Sequence, residues 1–104
     1  MIISLSILNI EKEERETRIK QFMKVSNNWI HFDVMDGKFV ENKTFAYEVV
    51  EEVNEYCAFF KDVHLMTYEP NDYLKEYKDA GTDQITFHYE SVDKENIISI
   101  INEI

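Results

Sequence analysis

What most limits the fold of this sequence is an alternation repeated four times, of a short apolar run followed by a charged segment with helical spacing. The apolar runs are Ile2 to Leu8, Trp29 to Met35, Phe59 to Met66 and Gln84 to His88. Their aliphatic and aromatic content reads as strands. The first helix, over 10–25, is expected to bury Ile19, Phe22, Met23 and Val25. Asn9 is placed to cap it, and Glu11, Glu13 and Glu14 set negative charge at its positive end. The second helix, over 45–57, carries Ala46, Val49, Val50, Val53 and Cys57 on one face. Pro70 suits the first turn of the third and Gly81 its stop, with Tyr73, Leu74 and Tyr77 as the packed stripe. The fourth carries Ile97, Ile98, Ile100, Ile101 and Ile104. Strand and helix in regular alternation predict βαβ units on a parallel sheet with right-handed crossovers.

Side chains in a strand alternate between faces, and each run here has one apolar and one polar face. Ile3, Leu5 and Ile7 oppose Ser4 and Ser6; Ile30, Phe32 and Val34 oppose His31, Asp33 and Met35. Val63 and Leu65 oppose Asp62, His64 and Met66, and Ile85 and Phe87 oppose Gln84, Thr86 and His88. The apolar faces are expected to meet the helices and the polar faces to point together toward a barrel axis. The fold class is therefore α/β, a parallel (β/α)4 half of a TIM (β/α)8 barrel. The 104 residues read as a single domain of four βα units. A complete barrel of this kind needs roughly 250 residues. Ser6, Asp33, His64 and His88 lie late in their strands, the end where such barrels build active sites.

His31 and Asp33 stand two apart on one strand, so both project to the same face, roughly 6–7 Å apart. With His64 at a similar level on the next strand they form two imidazoles and a carboxylate, a ligand set suited to divalent Zn, Fe, Mn or Co. The competing interpretation is hydrogen-bonded polar residues of an interior. Ser6 is a candidate for contacting substrate, and His88 is either an orienting group or a satisfied interior histidine. Cys57 reads as an inert buried thiol and Asp36-Gly37 as a turn.

Composition narrows the partners. With 11 basic against 21 acidic residues the net charge is −10, which argues against nucleic acid or an anionic membrane surface. No apolar run approaches the ~18 residues of a membrane span. A lone cysteine excludes an internal disulfide and fits a reducing compartment, so a cytoplasmic location is expected. Two glycines are too few for a glycine-rich phosphate cradle.

The chain resembles the N-terminal half of ribulose-phosphate 3-epimerases. The residues that carry the resemblance are Ser6-Ile7-Leu8, the run Trp29 to Val40 with Asn42 and Thr44, Asp62 to Met66, Ala80-Gly81, and Thr86 to Glu90. It implies a metal-dependent isomerase of the pentose phosphate pathway that interconverts D-ribulose 5-phosphate and D-xylulose 5-phosphate. By the family pattern His31, Asp33 and His64 are metal ligands and Asp33 is also an acid/base carboxylate. Ser6, His64, Met35 and Met66 are then substrate-binding. The family's remaining metal ligand, which is its second acid/base carboxylate, belongs to a later strand. Its phosphate-binding glycine loops lie near the last two strands. Ala46 and Glu48 stand where the family tends to have glycine and proline. The expectation is a chain that carries the metal-binding half, lacks the C-terminal half and has little activity alone. The alternatives are a truncated, non-catalytic half-barrel that folds as a homo-oligomer through exposed strand edges and at most binds metal, and an epimerase for a related ketose phosphate.

Overall fold

The computed structural model describes residues 1–25 and 28–104. Four strands, β1 (Ser4–Ser6), β2 (Trp29–Met35), β3 (Phe60–Met66) and β4 (Gln84–Phe87), form one sheet in the order β1-β2-β3-β4. Every neighbouring pair is parallel. Between and after them run α1 (Lys12–Phe22), α2 (Glu48–Tyr56), α3 (Asn71–Asp79) and α4 (Ile97–Glu103). Two single 3₁₀ turns, Tyr89–Ser91 and Lys94–Asn96, lead into α4. This is the α/β half-barrel expected from the alternation of elements.

Alternate strand residues explain the core. Ile7, Ile30, Phe32, Val34, Val63 and Leu65 are buried in one cluster with Ile19, Val50, Val53, Leu74, Tyr77 and Ile100 of the helices. Burying each large side chain contributes about 1.5–3 kcal/mol, so this face of the sheet fixes where the helices lie. Lys61 breaks the pattern. It points to the helix side of β3, is 1% exposed, and donates its ammonium to the Cys57 carbonyl at the end of α2. Burial pushes its pKa down.

Several element boundaries differ from expectation. The β1 ladder covers three residues, because Ile3 lies at the sheet's open end and is half exposed. The backbone still pairs beyond it, with Ile7 N–H donating to the His31 carbonyl. Asn9 does not cap α1; Glu11 holds the cap position, with no side-chain hydrogen bond, because Ile10 N–H closes a turn onto Ile7 first. The helix ends at Phe22, so Val25 is 48% exposed. The second helix starts at Glu48, since Phe45 is drawn inward against Phe32 and its carbonyl accepts from the Tyr77 hydroxyl. Ala46 is left exposed and Val49 half-buried. In the third helix Pro70 is the cap residue, and Gly81, after the Ala80 cap, takes φ 102°. Cys57 is buried, as expected of an inert thiol.

Candidate metal centre

The register of the parallel ladders sets the polar face in levels. Trp29 pairs with Phe60, and their rings stack at 4.3 Å between centroids, making an aromatic floor. One step up, His31 is level with Ser6 and Asp62, and Asp62 with Gln84. The next level holds Asp33, His64 and Thr86, and the last holds Met35 and Met66. Every site residue expected on this face is there, including Ser6 and both methionines. His88 falls one residue beyond β4 but stays in contact.

The centre is the Asp33 carboxylate. Its Oδ1 lies 3.0 Å from His31 Nε2 and 3.1 Å from His64 Nδ1. These three residues offer ligand atoms within 4.8 Å of one another, an arrangement able to hold a metal ion. The other oxygen, Oδ2, is 3.5 Å from the Ser6 hydroxyl, a long and weak contact. Side-chain exposure of 17% at Asp33 and 25% at each imidazole leaves the cluster reachable from the open side of the sheet.

The outer nitrogens decide what the inner ones can do. His31 Nδ1 is 2.9 Å from Asp62 Oδ2, and the other Asp62 oxygen accepts from Gln84 Nε2 at 2.9 Å. Ionised Asp62 and Asp33 both only accept, so a proton on either nitrogen of His31 finds an acceptor; with a cation at the Asp33 point, the proton belongs on Nδ1, facing Asp62. The neutral ring then turns a lone pair on Nε2 toward Asp33. The same count holds at His64. With His88 Nδ1 donating to Glu90 at 2.9 Å, the neutral His88 ring has an Nε2 lone pair able to accept from His64 Nε2–H at 2.8 Å. In that tautomer His64 Nδ1 also turns a lone pair toward Asp33. In these tautomers two imidazole lone pairs and a carboxylate oxygen converge, an arrangement able to hold a cation. A proton is the alternative. Burial opposes the charged form of His31, but the hydrogen bond to Asp62 and the Asp33 charge outweigh it and raise its pKa.

Loops fix these strands from above. Thr44 Oγ1 donates to the Asp33 carbonyl at 2.8 Å and accepts from Met35 N–H at 2.9 Å. Asp36 accepts from the backbone N–H groups of Lys38, Phe39 and Tyr68 at 2.8, 2.8 and 2.9 Å, tying the loop after β2 to the end of β3. The turn role expected of Asp36 is thus part of a larger clamp. Sequence reasoning placed Asp62 on the right face without giving it a partner. Its signal was the shared period: Asp62 stands two before His64 as His31 stands two before Asp33.

Comparison with known proteins gives a consistent result. Residues 2–104 match the Ribulose-phosphate 3 epimerase family. The chain is 42% identical over 100 residues to ribulose-phosphate 3-epimerase of Schizosaccharomyces pombe, covering 91% of this chain and 41% of that protein. It is 30% identical to the cytoplasmic isoform of Oryza sativa, over 98% of this chain and 44% of the relative. It is 33% identical to the chloroplastic ribulose-5-phosphate-3-epimerase of Arabidopsis thaliana, over 100% of this chain and 37% of the relative. The chain thus spans less than half the length of these curated relatives.

Proposed function

The chain belongs to the ribulose-phosphate 3-epimerase family, and from that premise we propose that it is the metal-holding half of an isomerase acting on D-ribulose 5-phosphate to give D-xylulose 5-phosphate. The observation that carries this reading is the convergence of His31 Nε2, Asp33 Oδ1 and His64 Nδ1, with the outer nitrogens already occupied. These three residues would hold the metal. A divalent ion of the Zn, Fe, Mn or Co kind supplies, when bound, a Lewis acid that stabilises negative charge on the sugar's oxygens.

The chain's own groups then divide the work. Inverting C3 means removing the proton beside the C2 carbonyl and returning one on the opposite face. Asp33 Oδ2, held among the described residues only by the long contact from Ser6, is the oxygen to take or return that proton. Ser6 and His64 orient the sugar near the reacting carbons. Met35 and Met66, level with one another above the imidazoles, cover the substrate and exclude water. Asp33 serves one face of the carbon. The opposite face needs a second carboxylate, which the family supplies from a later strand. The 104-residue domain alone is therefore expected to turn over very slowly. A coupled assay on the purified, metal-loaded chain tests this, and family-like turnover would refute it.

A second reading has its own observation. Among the described residues β1 and β4 each have a single sheet neighbour, so each leaves an edge open. Two copies joining edges with two-fold symmetry would close eight strands. The second copy would add another His31, Asp33 and His64 set and no phosphate loop, giving a homo-oligomer that binds metal without epimerase activity. Light scattering and metal content on one sample separate the readings: a metal-bearing dimer without turnover supports the second. A cytoplasmic setting suits the single buried thiol, and among the described residues no helix is long and apolar enough to cross a membrane.

A further inference from the structure

His88 and Glu90 lie outside the three-residue cluster, yet the cluster's geometry runs through them. The His64 and His88 nitrogens are 2.8 Å apart, while the ring centroids are 5.0 Å apart and the planes differ by 24°. Stacked faces cannot bring two ring atoms that close, since non-bonded ring atoms meet at about 3.5 Å. The rings therefore meet edge to edge, in a hydrogen bond lying near both planes.

His88 is itself held on several sides. Its Nδ1 donates to Glu90 Oε1 at 2.9 Å. Its carbonyl accepts from the Ser91 hydroxyl at 2.6 Å and the Ser91 N–H at 3.0 Å. The Phe39 ring packs against it at 5.2 Å, and the Phe39 N–H is fixed in turn by Asp36. A ring held at its backbone, against a neighbouring aromatic ring and at one nitrogen presents the other nitrogen in a set direction.

We propose that His88, backed by Glu90, is a positioning residue: by accepting the Nε2 proton of His64 it fixes that ring's tautomer and aims the Nδ1 lone pair at the Asp33 point. The inference rests on the metal-centre reading of His31, Asp33 and His64. A ligating histidine that donates its second N–H to a fixed acceptor keeps its ring orientation and is more basic toward the metal. Without His88, the Nε2–H must find water on the open face, and the ring is free to turn.

The test is Co(II) titration of the 104-residue chain, followed by the visible absorption of the bound ion, with far-UV circular dichroism to confirm folding. His88→Phe keeps a flat ring and removes the acceptor. It is expected to weaken Co(II) binding about 10- to 100-fold and to change the absorption bands. His88→Gln keeps an acceptor in its amide oxygen and is expected to restore binding and bands toward wild type. Wild-type affinity and bands in His88→Phe overturn the proposal, as does a loss in His88→Gln as large as that in His88→Phe. Should His88→Phe not fold, Glu90→Ala decides, because the Glu90 side chain is half exposed: unchanged binding and bands there overturn the proposal. A wild-type chain that takes up no Co(II) is a different failure, which removes the metal-centre reading and the relay together.

Discussion

Replacing Asp36 by asparagine tests the clamp over the centre. Asp36 Oδ1 accepts from Lys38 and Phe39 N–H, and Oδ2 from Tyr68 N–H. An amide has one oxygen, so its NH2 must face a backbone N–H on one side or the other. One hydrogen bond is lost, and those that remain change from charge-assisted to neutral. Hydrogen bonds to charged groups contribute about 1.5–3 kcal/mol and neutral ones about 0.5–1.5. Because Lys38 N–H and Tyr68 N–H are exposed, solvent reduces the difference, and about 2 kcal/mol is the expected total loss. For a domain of this size that is a fall in Tm of roughly 10 °C at neutral pH. The pH dependence gives a sharper signature. Burial alone would raise the Asp36 pKa, but the three N–H donors outweigh it and hold the pKa below 3.8. A carboxylate with a lowered folded-state pKa stabilises the fold above its unfolded value, and that contribution disappears as pH falls through the folded value. Thermal melts of wild type and Asp36→Asn, followed by circular dichroism, should therefore differ most near neutrality. They should converge as the solution is acidified below 3.8. A gap in Tm that stays constant across that range, or no gap at neutral pH, would refute the argument.

Other substitutions probe separate parts of the chain. His31→Ala removes one of three converging ligands, and metal measured after dialysis should drop to background; unchanged content would sink the ligand assignment. Asp62→Asn forces His31 Nδ1 and Gln84 Nε2 to compete for one amide oxygen. It should lower metal affinity about 10-fold or more in a calorimetric titration, and Gln84→Glu should not mimic it. Gly81→Ala should destabilise the chain by about 2–3 kcal/mol in urea unfolding. A Cβ there would meet Asn54 Nδ2 at 2.1 Å and break its bond to the Ala80 carbonyl, at a backbone φ of 102°.

The period of two in the strands made the faces legible from sequence: the rows 31, 33, 35 and 62, 64, 66 fall where alternation put them. Register was legible only coarsely: strand positions put His64 at a similar level to His31 and Asp33, while the exact offset depends on how α2 packs and on the loops beside it. That offset sets Asp33 level with His64, and His31 level with Asp62, so the pairing of imidazoles with carboxylates emerged only in three dimensions. Lys61 shows the same limit from the helix side. A lysine in an apolar row gives no sign that a helix end will bring the Cys57 carbonyl to its ammonium. The Asn9 cap failed for a local reason, the Ile7–Ile10 turn, which propensity does not register. The residue types of the centre were thus readable, while the hydrogen bonds made to it by Asp62, Gln84 and Glu90 were not.

The converging atoms come from two adjacent strands. His31, Asp33 and His64 all belong to the β2–α2–β3 crossover, and the flanking units add supports such as Ser6, Gln84, His88 and Glu90. A bound cation would therefore act as a staple across a single ladder. Its binding energy would resist the parting of β2 from β3 and do little for the outer seams of the sheet. During folding, such an ion could be captured once residues 29–66 have closed on themselves, before β1 or β4 has docked. Slow amide exchange in the ion's presence would then be concentrated along that one ladder, marking it as the most durable part of the molecule.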